Sequence, residues 1–96
     1  MGTMSDALVS SVGNDTYHYV AVKGSPFATD SAVFGLAKDE VLALTARFPN
    51  SGTEVVNGVI IKGPPIAILN ALAELDYRIV CSTGEAEILW TLARED

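Results

Sequence analysis

Two adjacent prolines, Pro64 and Pro65, constrain this chain more than any other feature. Neither can donate a backbone hydrogen bond, so the pair cannot sit inside a helix or a central strand. It can open a helix, because the N–H groups of a helical first turn have no intrahelical partner. The residues that follow have the helical period. Ile68, Leu69, Leu72 and Leu75 form one apolar stripe, with Asn70, Ala73 and Glu74 opposite or beside it. Ala67, Ala71 and Ala73 leave a thin side that another element can approach. Two β-prone runs come next, Tyr77 to Ser82 and Glu87 to Ala93, joined by a short turn around Gly84-Glu85. So short a turn makes them antiparallel. In the second run Ile88, Trp90 and Leu92 share one face, and Leu89, Thr91 and Ala93 share the other.

The first two thirds of the chain are less sharply written. Tyr17 to Val22 alternates as a strand does and is ended by Gly24-Ser25-Pro26. A weaker extended stretch follows around Ala28 to Phe34, made short or bulged by Asp30 and Gly35. Asp39 is a candidate cap for a helix to Arg47, with Val41, Leu44, Thr45 and Phe48 along one side. Pro49-Asn50-Ser51-Gly52 stops that helix. Val55 to Ile61 reads as one strand, with Gly58 marking a bulge or a close backbone approach. The predicted order is therefore strand, weak strand, helix, strand, helix, strand, strand. The fold class that satisfies it is α+β, a single antiparallel sheet with two helices packed on one face.

Ninety-six residues make one domain, which buries roughly 60–65% of the surface of the unfolded chain. Residues 1–15 read as a loose tail in which Leu8 and Val9 are the candidate docking contacts, and Met1-Gly2-Thr3 reads as a vector-derived start. Residues 16–96 form the domain. Hydrophobic residues make up 49% and charged ones 19%, which predicts apolar surface covered by further subunits. The formal net charge of −6 argues against nucleic acid or anionic membrane as partner. No apolar run reaches the ~20 residues of a membrane span. Cys81, the one cysteine, lies in an apolar strand and reads as a buried thiol in a reducing, cytoplasmic setting.

No catalytic constellation stands out. His18 has no second histidine and no cysteine pair with which to hold a metal. Asp39 and Glu40 suit a helix N-terminus, and Trp90 suits a core or an interface. Ser82 has no neighbouring base. Neither Gly24-Ser25-Pro26 nor Asn50-Ser51-Gly52 carries the lysine of a phosphate loop. Glu85 and Glu87 flank the final turn and can face a cation or an amine, or simply solvent.

The tail from Pro64 onward resembles the GTP cyclohydrolase I feedback regulatory proteins. The residues that carry the likeness are Pro64, Pro65, Ile68, Leu69, Leu72, Tyr77, Arg78, Thr83, Gly84, Leu89, Trp90 and Leu92. They cover about a third of the chain, and residues 17–61 match in the order and length of elements. The resemblance implies a regulatory protein without enzymatic activity and without a cofactor. It implies a ring-shaped pentamer that caps GTP cyclohydrolase I and responds to phenylalanine and tetrahydrobiopterin. It places the effector near the final hairpin, at Thr83, Gly84, Glu85 and Glu87. Glu85-Ala86-Glu87 replaces the family's Val-Gly-Gln, which changes the charge of that site. Two other readings use the same fold: a free-standing oligomer that captures a small molecule between subunits, and a structural module with no ligand.

Overall fold

The computed structural model describes residues 16–95. The predicted loose tail, with Leu8 and Val9, lies outside the described residues. Six strands and two helices follow in the order β1 (Tyr17–Gly24), β2 (Ser31–Phe34), α1 (Lys38–Arg47), β3 (Thr53–Val55), β4 (Gly58–Ile61), α2 (Pro65–Glu74), β5 (Arg78–Gly84) and β6 (Ile88–Glu95). The strands form one sheet in the order β3-β4-β2-β1-β6-β5. Every neighbouring pair is antiparallel. This is the α+β class that the order of elements predicted.

Strand alternation decides which face is buried. Val20 and Val22 of β1, Val33 of β2, Val59 and Ile61 of β4, and Leu92 of β6 point to one side. There they join Leu44 of α1 and Ile68, Leu69 and Leu72 of α2 in one core cluster. Both helices thus cover the same face, and Trp90 and Phe48 pack at the edge of the cluster. The predicted stripe of α2 is the buried one, with Leu75 partly packed and Asn70, Ala73 and Glu74 outside.

Helix α2 starts as two prolines allow and ends without glycine. Asp76 takes the left-handed conformation, φ 72°. Its N–H bonds Ala73 O at 3.0 Å, and the N–H of Tyr77 bonds Leu72 O at 3.1 Å. This pair of reverse bonds satisfies the last carbonyls of the helix and tucks Tyr77 beneath it. On the solvent side the guanidinium of Arg47 grips Glu74 with two bonds of 2.8 and 3.2 Å, tying α1 to α2. The buried Ser31 hydroxyl donates to Gly63 O at 2.9 Å, so β2 holds the link into α2.

Three predictions need correction. Val55 to Ile61 is not one strand. It folds back at Val56-Asn57, with Asn57 at φ 63°, into the β3–β4 hairpin. Asn-Gly is a strong hairpin signal, and it wins over the continuous apolar run. Of the two readings of Gly58 the close backbone approach holds: a Cβ there would come within 2.6 Å of both Val33 O and the Phe34 ring. The weak strand is short, as Asp30 and Gly35 suggest, and runs from Ser31 to Phe34. Helix α1 begins at Lys38 after an N-cap at Ala37, so Asp39 lies in the first turn and is not the cap. The third correction is Cys81, which is exposed. It pairs with Thr91, which pairs with Ala21, and so points to the face of the sheet that the helices leave bare.

Candidate functional site

The final hairpin brings the sequence-predicted residues to the face of the sheet that the helices leave bare. Gly84 closes β5 at φ 120°, and a Cβ there would collide with the carbonyl of Glu87. Glu85, Ala86 and Glu87 then form a three-residue loop into β6. The β1–β6 register pairs Lys23 with Leu89, and the β5–β6 register pairs Leu89 with Thr83. Lys23, Leu89 and Thr83 therefore form one row across three strands on the bare face.

Glu87 turns toward β1, and its carboxylate lies 3.6 Å from the ammonium of Lys23. The pair stands at the mouth of a shallow cleft of about 530 Å³ on the bare face. Asp30 borders the cleft, and Phe34, Val55 and Ile60 give it an apolar floor. Four strands, β1 to β4, and the loops at Asp30 and Glu87 supply these side chains, so the site depends on the sheet register and not on any local motif. Among the four predicted residues, Glu87 lines the cleft. Thr83 is in the same row but one strand further out, Gly84 shapes the turn, and Glu85 points into solvent. Lys23 and the apolar floor were not foreseen. A cleft with one ammonium, two carboxylates and an apolar bed can hold a small zwitterion by its charged end and bury its side chain.

A second constellation lies on the helix side. Glu40 is buried, and its carboxylate accepts from three donors. The Ala37 N–H donates at 3.1 Å, and the Tyr77 hydroxyl lies 3.0 Å from each oxygen. Arg94 donates at 2.5 Å, and its guanidinium stacks 4.6 Å above the Tyr77 ring. Burial pushes this carboxyl up; the bonds from Ala37, Tyr77 and Arg94, with the Arg94 charge, outweigh it and hold the group below its usual range. A buried, ionised carboxylate held by three donors acts as a clamp. It joins α1, the start of β5 and the end of β6. The sequence held a signal for it: Glu40 is four residues before Leu44 and eight before Phe48, on the inward stripe of α1.

His18 is half-buried, with Nε2 2.9 Å from Gly35 O. Trp90 fills space beside the core, as expected. Ser82 is exposed on β5. Among the described residues no three His, Cys, Asp or Glu side chains gather as a metal site. No helix among them is long and apolar enough to cross a membrane. Comparison with family models, with curated proteins and with solved structures gives no match for this chain.

Proposed function

We propose that this is a non-enzymatic regulatory protein of the GTP cyclohydrolase I feedback type, cytoplasmic and acting as a homo-oligomeric ring. In this reading it binds the cyclohydrolase and adjusts it in response to phenylalanine and tetrahydrobiopterin. The observation that carries the proposal is the Glu87–Lys23 pair above the apolar floor of Phe34, Val55 and Ile60. It stands beside the hairpin that bears the family-like residues. Its chemistry fits an α-amino acid with an apolar side chain, with Lys23 facing the carboxylate and Glu87 or Asp30 facing the ammonium. Regulation then needs the effector to bind the free and the enzyme-bound protein with different affinity.

The test is size-exclusion chromatography of the protein with its host's GTP cyclohydrolase I, with and without phenylalanine and tetrahydrobiopterin. The expected result is a complex whose amount changes with effector, and a protein that runs as an oligomer alone. Light scattering that finds a 10 kDa monomer, together with no complex under any condition, overturns the proposal. A second reading keeps the ligand and drops the enzyme. It is favoured by the cleft itself, which forms within one chain from β1, β2, β3, β4 and the final loop. Ligand-induced thermal shifts in the absence of complex formation select that reading.

A further inference from the structure

The face of the sheet that the helices leave bare breaks the pattern of a solvated sheet. An antiparallel sheet with one wet face alternates apolar residues inward with polar residues outward. Here β1 alternates the buried Val20 and Val22 with Tyr17, Tyr19 and Ala21 on the outer side. The register places Phe34 and Gly58 on one side of Ala21, and Thr91 and Cys81 on the other. Tyr19 lies beside Ala93, and Ala32, Ile60 and Leu89 share the row of Lys23. Charge along β1 and β6 is confined to the two ends of this face, Lys23 at one and Glu95 at the other. On the helix side, by contrast, Lys38, Asp39, Arg47 and Glu74 all stand in solvent.

The relief of this face is complementary to itself. Tyr17 and Tyr19 keep 50% and 58% of their surface exposed, with ring centroids 6.3 Å apart. Beside them is a hollow of about 420 Å³ lined by Tyr19, Ala21, Phe34 and Thr91. A two-fold axis that crosses the strands at the level of Val20 and Leu92 exchanges the rows on either side of it. Tyr19 of one copy then meets Ala21 of the other, at the hollow. Tyr17 meets Lys23, and Glu95, the cross-strand neighbour of Tyr17, meets Leu89 beside that same Lys23. Aromatic rings thus face a small residue and a cation, and each Glu95 stands near the Lys23 of the other copy. The Lys23 ammonium has three protons, enough for Glu87 and Glu95 together.

The area is sufficient as well. From strand spacing and rise, the sheet covers about 550 Å² in projection. Side chains stand above that plane, so the accessible area is larger and comparable with the roughly 800 Å² that each partner gives to a standard interface. From the apolar outward rows, the matching relief, the placing of Lys23 and Glu95 and this area, we infer that the bare face is a homodimer interface. Two copies pack sheet on sheet about a two-fold axis near Val20 and Leu92. The two sheets then enclose a second apolar layer, about 10 Å thick, with the helices on the outside. The inference rests on the rows along β1 and β6 and not on the Glu87 cleft, so it is independent of the effector reading.

Light scattering on the full chain over a range of concentrations tests it. Tyr19→Arg and Thr91→Arg each put a guanidinium into the contact. Each is expected to halve the mass of the wild-type particle while the circular dichroism spectrum stays unchanged. A simple dimer falls to the 10.1 kDa monomer, and a pair of rings falls to a single ring. The absolute mass therefore judges the ring, and the halving judges this contact. Leu42→Arg is the control: Leu42 is also exposed, but on the helix side, and the mass is expected to stay as it is. Glu95→Lys sets like charges together and is expected to raise the dissociation constant roughly tenfold at low salt, and less at high salt. A wild type that stays monomeric at every concentration overturns the inference. So does a particle whose mass Tyr19→Arg and Thr91→Arg leave unchanged, or one that Leu42→Arg breaks equally well.

Discussion

The two ends of one sheet have opposite surroundings. At β4, β2 and β1 the inward valines and isoleucines are fully covered, with Val22, Val33 and Ile61 at 0% exposure. At β5 the inward-facing Ile79 is 52% exposed, and nothing else on that strand is buried. Both ends have β-prone sequence and a sound hydrogen-bonded ladder. The difference lies in the helices. Helix α2 ends at Glu74, and the reverse turn at Asp76 swings the chain outward, so β5 forms beyond the reach of the helical layer. Strand sequence sets the backbone, and the layer above it sets burial. In this protein the covered end holds the fold and carries the candidate cleft on its outer face, while the β5 end carries the open edge.

The strongest test of that contrast is a matched pair of truncations. Leu72 is at 0% exposure, and Leu72→Ala is expected to cost about 3 kcal/mol from lost burial and the cavity left behind. Ile79→Ala removes a larger part of its side chain from water than from protein, and is expected to cost less than about 0.5 kcal/mol. Urea unfolding of the two variants measures both. If Ile79→Ala costs as much as Leu72→Ala in dilute solution, β5 is covered by something, and the contrast drawn from the single chain fails.

The Glu40 clamp lies between the two ends and joins them. Replacing one member leaves charged partners under-satisfied, so Glu40→Gln is expected to destabilise by about 2 kcal/mol at neutral pH. The pH dependence follows from the direction of the shift. The folded carboxyl titrates below its ordinary 4.5, while the unfolded one titrates near it. Unfolding therefore takes up protons in the interval between the two values, and stability falls with falling pH there. Glu40 contributes fully above about pH 5, and its contribution fades as pH drops through the lowered folded value. The gap in unfolding free energy between wild type and Glu40→Gln should accordingly narrow from about pH 6 to pH 3. A constant gap would mean that the clamp stabilises by shape and not by charge.

How much of this was legible in the sequence depends on range. Pro64-Pro65, the stripe of Ile68, Leu69 and Leu72, and Gly84 each act within a few residues, and the elements they predicted are present. The Asn57-Gly58 turn was equally local but was masked by its apolar neighbours, which made two short strands read as one. Cys81 was misplaced for a different reason. It pairs with Thr91 on the face that no helix covers, and an apolar strand does not record which of its faces receives the helices. The candidate site is less legible still. Lys23 and Glu87 are at opposite ends of the chain, and only the β1–β6 register brings them together. Glu87 itself was reached through the likeness of the hairpin, while the cleft it borders was not.

The smallest expected effect belongs to the turn at the bare end. Gly84 sits at φ 120°, where any Cβ would run into the Glu87 carbonyl. Gly84→Ala must therefore reshape the Glu85–Glu87 loop, at a local cost on the order of 1–3 kcal/mol. Because this end opens independently of the core, the loss of global stability is expected to stay below about 1 kcal/mol. The change should appear instead in local observables. Amides from Thr83 to Ile88 should exchange faster, and Glu87 should no longer sit beside Lys23. If the apolar cleft needs Glu87 in place, the same variant should lose the thermal shift produced by an apolar amino acid while melting close to wild type. A large global loss would show that the hairpin is part of the cooperative core, and the division of the sheet into a covered and a bare end would then describe accessibility alone and not stability.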